Sequence, residues 1–159
     1  MTDMSRGATD PETEARQVRP QEENDELGQW LEDLFDGTAE ATVLGLPSLL
    51  IAVFSGELVA SAAALGAAVA LSWGVAAYRN GRLSLGPEWP PVSVFYGGIR
   101  LLWYNTVYLA AVFGVVTSGL FPTTPSGLAA AIVAGVGVAT VGVLTFPFVA
   151  AAADSVRRA

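Results

Sequence analysis

Residues 101–153 read LLWYNTVYLAAVFGVVTSGLFPTTPSGLAAAIVAGVGVATVGVLTFPFVAAAA, a run without a single Asp, Glu, Lys or Arg. A second run, from Ala41 to Tyr78, holds one charged side chain, Glu57. Apolar stretches of 18 or more residues suit a bilayer whose hydrocarbon is about 30 Å thick. Folded into a soluble core, runs of this length would leave much apolar surface wet. The chain therefore reads as all-α: an integral membrane four-helix bundle, preceded by a disordered acidic N-terminal tail and a short amphipathic helix.

The spans follow from where the runs break. The 38 residues from Ala41 to Tyr78 would reach about 57 Å as one helix at 1.5 Å per residue, too far for a single crossing. Ser55-Gly56-Glu57 is the break, which gives spans at 39–55 and 58–78. The first is short and carries Pro47, so it is expected to thin the bilayer locally or to enter without crossing, as a re-entrant segment. Asn80-Gly81, Gly86-Pro87 and Pro90-Pro91 mark a loop, and Val92 to Ile99 is expected at the interface. The third span covers 101–120. A turn from Pro122 to Pro125 follows, then the fourth span at 127–152, so that the bundle occupies 39–153 and a tail 154–159.

Orientation is legible in the arginines. None follows the first or third span, whereas Arg79, Arg82, Arg100, Arg157 and Arg158 all fall on one side. The positive-inside rule then makes this a multi-pass cell-membrane protein with both termini cytoplasmic. Trp73, Tyr78, Trp89, Trp103 and Tyr104 are expected to form an interfacial belt on that side, with Arg100 snorkelling to headgroups. No basic segment leads into an early apolar core, so the first span is expected to serve as its own targeting signal.

Charge divides the chain differently. The first 40 residues carry twelve acids against three arginines, a formal charge of −9, and the remainder five arginines against three acids. An acidic tail over 1–22, with Pro11 and Pro20 and no apolar period, is expected to be disordered. It repels nucleic acid and anionic headgroups. Lysine is absent; with the acid excess, this reads as halophilic adaptation, in which concentrated salt screens self-repulsion.

Between tail and bundle, Leu27, Trp30, Leu31, Leu34 and Phe35 fall at i, i+3, i+4, i+7 and i+8, the spacing of an amphipathic helix over 23–37. Asn24 or Asp25 can cap its start and Gly37 can end it. Glu26, Glu32, Asp33 and Asp36 are expected to face away. Membrane-surface helices carry basic polar faces; this one is acidic, so its apolar stripe is a candidate docking face for the bundle's own rim or for a partner protein.

Inside the spans, small residues recur every four positions: Ala62, Gly66, Ala70 and Gly74; Ala110, Gly114 and Ser118; Gly127, Ala131, Gly135 and Ala139. Such ridges let helices approach closely. Counting inward from the cytoplasmic side, Ser48 beside Pro47, Ser72, Asn105 with Thr106, and Thr145 near Pro147 fall in one layer. That layer is either mutual satisfaction of backbone groups freed by proline or a shallow polar cavity.

Cysteine and histidine are absent, which excludes disulfides, Cys/His metal sites, His-ligated haem and Ser–His or Cys–His nucleophile pairs. The spans carry none of the ionisable side chains that mark proton relays or ion pathways. No metal and no cofactor are expected, and no catalytic residue. The sequence thus points to a small non-catalytic membrane protein, a scaffold, anchor or accessory subunit that meets the bilayer and a membrane-protein partner or a second copy of itself. The alternative is a small oligomeric transporter or channel for a neutral solute.

Overall fold

The structure is a computed structural model that describes residues 25–159. The acidic tail expected over 1–22 lies outside the described residues. Among the described residues four helices make up the fold: α1 (Glu26–Phe54), α2 (Leu58–Arg79), α3 (Val94–Ser118) and α4 (Pro125–Arg158). Each is long and apolar enough to cross a membrane. Short connections reverse the chain each time, so the start of α1, the 80–93 connection and the end of α4 share one end of the bundle. The contacts agree: Arg82 lies over the Trp30 ring and Arg157 over Phe95. All five arginines of residues 41–159 therefore gather at this arginine end.

Side-chain caps start three of the helices. Asp25 accepts from the Gly28 amide at 2.8 Å, Ser93 from Tyr96 at 3.3 Å and Thr124 from Gly127 at 3.3 Å. Each supplies an acceptor to a donor that has no partner within its own helix. At the far end of α3 the chain stops at Gly119 in the left-handed region, φ 63°, where a side chain would be strained.

Packing is closest where glycine lets backbones touch. A Cβ on Gly66 of α2 would fall against the Ile132 carbonyl oxygen of α4, and one on Gly135 against that of Ala63. The two helices thus offer glycine to each other's carbonyls. α2 packs against all three other helices, while α1 and α4 do not meet. The buried positions are dominated by alanine, glycine and valine, whereas Val43, Leu46, Leu50, Phe54, Leu65, Phe113, Val133 and Phe148 point outward. Small side chains line most helix contacts, while a few large ones, Leu71, Tyr104, Tyr108 and Phe146, fill the core near the arginine end.

Gly127, Ala131, Gly135 and Ala139 are all buried, so the α4 ridge is a packing surface; the α3 ridge of Ala110, Gly114 and Ser118 faces outward, and a Cβ on Gly114 would meet nothing.

Several expected boundaries are corrected. The amphipathic segment and the first span are one continuous helix, because Gly37 is a contact residue and not a terminator: a Cβ there would strike the Ser72 carbonyl of α2. α1 also continues through Pro47. The Val92–Ile99 segment, expected at an interface, enters α3 from the Ser93 cap, and α4 continues to Arg158 instead of ending near 152. The expected aromatic belt is largely internal. Tyr78 stacks on Trp89 at 4.9 Å, Trp89 meets Phe146 at 4.9 Å, and Tyr104 meets Phe146 at 6.0 Å. Of the five aromatics, Trp73 alone is exposed.

Candidate functional site

The arginine end holds a buried ion cluster. Glu40 sits on α1 one turn from Gly37, on the face that closes against α2 and α3. Its Oε2 lies 2.8 Å from Arg79 Nη2 of α2, and its Oε1 accepts from the Tyr104 hydroxyl of α3 at 2.7 Å. Arg100 Nε is 3.3 Å from Glu40 Oε1; the distance makes an ion pair, but the angle leaves Nε without a hydrogen bond. Arg100 Nη2 donates to the Pro90 carbonyl. One carboxylate thereby joins three helices and, through Arg100, the connection between α2 and α3.

Arg100 is 3% exposed, which corrects the expectation that it snorkels outward. The cluster is neutralised locally: Arg79 also reaches Asp36 at 3.4 Å, so two acids face two guanidinium groups. Removing one partner from a buried pair leaves an uncompensated charge, which typically costs about 3–5 kcal/mol. Glu40 was hidden in the sequence by its place at the end of the acidic segment. The signal that finds it is the buried stripe of α1, Gly37, Ala41, Gly45, Ser48 and Ala52, which puts Glu40 beside the inner face once α1 is one helix.

The polar layer is part tie and part ordinary helix chemistry. Asn105 Oδ1 accepts from Ser48 N at 2.9 Å and from Ser48 Oγ at 2.6 Å, while Asn105 Nδ2 donates to the carbonyls of Leu44 at 2.8 Å and Leu101 at 2.7 Å. Leu44 C=O and Ser48 N–H are the groups that an uninterrupted helix would pair with each other. The carboxamide spans them in the turn that carries Pro47. Thr106 bonds the Leu102 carbonyl at 2.8 Å and Thr145 that of Val141 at 2.7 Å, each within its own helix. Ser72 is buried where α2 meets Gly37. No hydrogen bond links Ser72, Thr106 or Thr145 to the Ser48–Asn105 pair, so the five residues do not form one constellation. Near the second proline, Trp103 Nε1 donates to the Gly142 carbonyl at 2.9 Å. α3 thus supplies a side chain to each proline-bearing helix.

The α1 stripe is divided. Trp30 packs edge-on to Trp73 at 5.8 Å with Arg82 above it at 4.9 Å, and Leu34 is half-buried. Leu27, Leu31 and Phe35 remain 64%, 54% and 73% exposed. Two acids expected to face away instead tie α1 to the end of α2: Asp33 accepts from Asn80 and Asp36 pairs with Arg79.

Two grooves border these elements. One, of about 420 Å³, lies between α1 and α3 and is lined by Ser48, Asn105 and Thr106 among apolar residues. The other, of about 400 Å³, lies over α2 between α1 and α4 and is almost wholly apolar. No group of three or more Asp or Glu side chains able to hold a metal ion occurs among the described residues.

No curated protein matches the chain, and no solved structure does. The model of a domain of unknown function, DUF8215, matches residues 24–153, which takes in α1, α2, α3 and most of α4, and the chain belongs to that family.

Proposed function

We propose that this is a multi-pass integral membrane protein, its arginine end in the cytoplasm, that acts as a non-catalytic accessory or scaffold subunit. Lipid solvation is supported by the large apolar residues that face outward on all four helices, among them Leu50, Phe54, Leu65, Phe113, Val133 and Phe148, since a bundle in water turns a polar face outward. The cytoplasmic assignment rests on the arginines, which all lie at one end.

The observation that carries the scaffold reading is the exposed stripe Leu27, Leu31 and Phe35. From Glu26 to Glu40, α1 advances about 21 Å, and the ion cluster fixes that segment to the bundle. The stripe is therefore a rigid apolar surface flanked by acids, not a loose tail. Anionic headgroups repel such a surface, so the fitting partner is a membrane protein whose cytoplasmic face offers an apolar groove with a basic rim. The non-catalytic reading is supported by the state of the ionisable groups: Glu40, Arg79, Arg100 and Tyr104 are all engaged with one another. The transporter reading has weaker support, because Asn105 and Ser48, the polar groups of the α1–α3 groove, are already engaged in internal bonds.

A photoreactive residue in place of Phe35, in the native membrane, tests this. The expected result is one defined stoichiometric adduct with a membrane protein, lost when Leu27 and Leu31 are changed to Ser. Adducts with lipid alone, or a partner retained by the double variant, would refute it.

A further inference from the structure

We propose that the groove over α2, between α1 and α4, binds one chain of a phosphate-headed membrane lipid, with Arg82 holding the phosphate. The inference rests on the membrane reading above. Its floor is Val69, Trp73 and Ala77 of α2, its walls are Trp30 of α1 and Val136, Thr140 and Leu144 of α4. The one hydroxyl among these, Thr140 Oγ1, is bonded at 2.8 Å to the Val136 carbonyl of its own helix. Apart from the indole N–H groups of Trp30 and Trp73, the lining offers no free polar group to a ligand.

Size selects the occupant. From Val69 to Ala77, and likewise from Val136 to Leu144, the groove runs about 12 Å along the helices. A helix with its side chains is about 10–12 Å across, so a 12 Å length would fill roughly 900 Å³ or more. The groove holds about 400 Å³ and is open along its side, which matches an extended hydrocarbon chain more closely than the full width of a partner helix.

Charge selects the headgroup. Arg82 lies at the mouth, its guanidinium 4.9 Å from the Trp30 ring centre, and Nε donates to Asn80 Oδ1 at 3.2 Å. The other cations nearby are committed, Arg79 to Glu40 and Asp36 and Arg100 to Glu40. No carboxylate pairs with Arg82 among the described residues. The nearby acid Asp33 is turned onto the Asn80 amide. The cation–π contact with Trp30 and the Nε bond to Asn80 hold the guanidinium in place and leave its terminal nitrogens for a bidentate contact with a phosphate.

Native mass spectrometry of the full chain, taken from nanodiscs of defined lipid into mild detergent, reads the site. One retained phosphate-headed lipid is expected. Because a charge-assisted contact is lost, Arg82→Gln should lower occupancy about tenfold, and Arg82→Lys should restore part of it. Thr140→Phe should abolish retention by filling the groove, whereas Leu46→Phe, on the outer face of α1, should leave it unchanged. Equal retention by Arg82→Gln and Thr140→Phe, or equal retention of uncharged diacylglycerol, overturns the proposal. So does a second copy or another polypeptide cross-linked from position 73. Recovery of the chain as a detergent-free monomer would instead overturn the membrane reading.

Discussion

Asn105 Oδ1 lies 2.6 Å from Ser48 Oγ and 2.9 Å from Ser48 N, so a carboxamide on α3 takes the place of a backbone group beside Pro47 of α1. With Nδ2 on the Leu44 carbonyl, the side chain satisfies two main-chain groups at once. In an apolar surround, an unpaired main-chain group costs about 1–3 kcal/mol. Asn105→Leu should therefore destabilise the bundle by about 2–4 kcal/mol in a reversible unfolding assay, and Ser48→Ala by about 1 kcal/mol. Thr106→Val, which removes only an exposed bond within α3, should change stability by less than about 0.5 kcal/mol. Equal effects from Asn105 and Thr106 would show that the carboxamide is not a tie.

The Glu40 cluster makes a sharper demand. Glu40→Leu leaves Arg100 buried and unpaired and should cost about 3–5 kcal/mol. Adding Arg100→Met should recover part of that loss, since the two residues touch and their effects are not additive. A double variant as destabilised as the sum of the single ones would contradict a direct pair.

Two tyrosines one turn apart should respond in opposite directions. Tyr104 donates to Glu40, and Tyr104→Phe should lose about 1.5–3 kcal/mol, the value of a bond to a charged group. The Tyr108 hydroxyl is buried without a partner, so Tyr108→Phe keeps the shape and should be neutral or stabilising by up to about 1–3 kcal/mol. Measured losses from both would mean that Tyr108 has a polar partner.

Glycines should sort by what their missing Cβ would meet. Gly135→Ala and Gly37→Ala drive a methyl into the Ala63 and Ser72 carbonyls and should each cost about 1–3 kcal/mol or more. Gly114→Ala meets open space and should be neutral or slightly stabilising through helix propensity. For Gly37 this separates a contact inside a continuous helix from a helix end, where alanine would not clash with α2.

The four long helices were legible in the sequence because charge is nearly absent from two runs and the breaks at Ser55–Glu57 and Pro122–Pro125 are strong. The α4 ridge was legible for the same reason that it packs: its small residues recur at one helical face. Gly37 misled because a glycine after a periodic stretch has the same local signature whether it ends a helix or admits a neighbour. That error hid Glu40, which counts as one more acid of the tail until α1 is continuous. The position of Arg100 at a span entrance points outward in the sequence, and only the fold brings Glu40 and the Pro90 carbonyl to it. Ser48 and Asn105 each stand out in the sequence, but 57 residues separate them, and no spacing rule reports a contact across that distance.

The central claim is that lipid surrounds four crossing helices with the arginine end inside. The chain has no cysteine, so single cysteines at Ser55, Thr123, Ser84 and Ser155 report unambiguously. With a membrane-impermeant maleimide on intact cells, Ser55→Cys and Thr123→Cys should label at once, and Ser84→Cys and Ser155→Cys only after permeabilisation. Equal labelling of all four in a detergent-free soluble fraction would contradict the claim, and a reversed pattern would contradict the orientation.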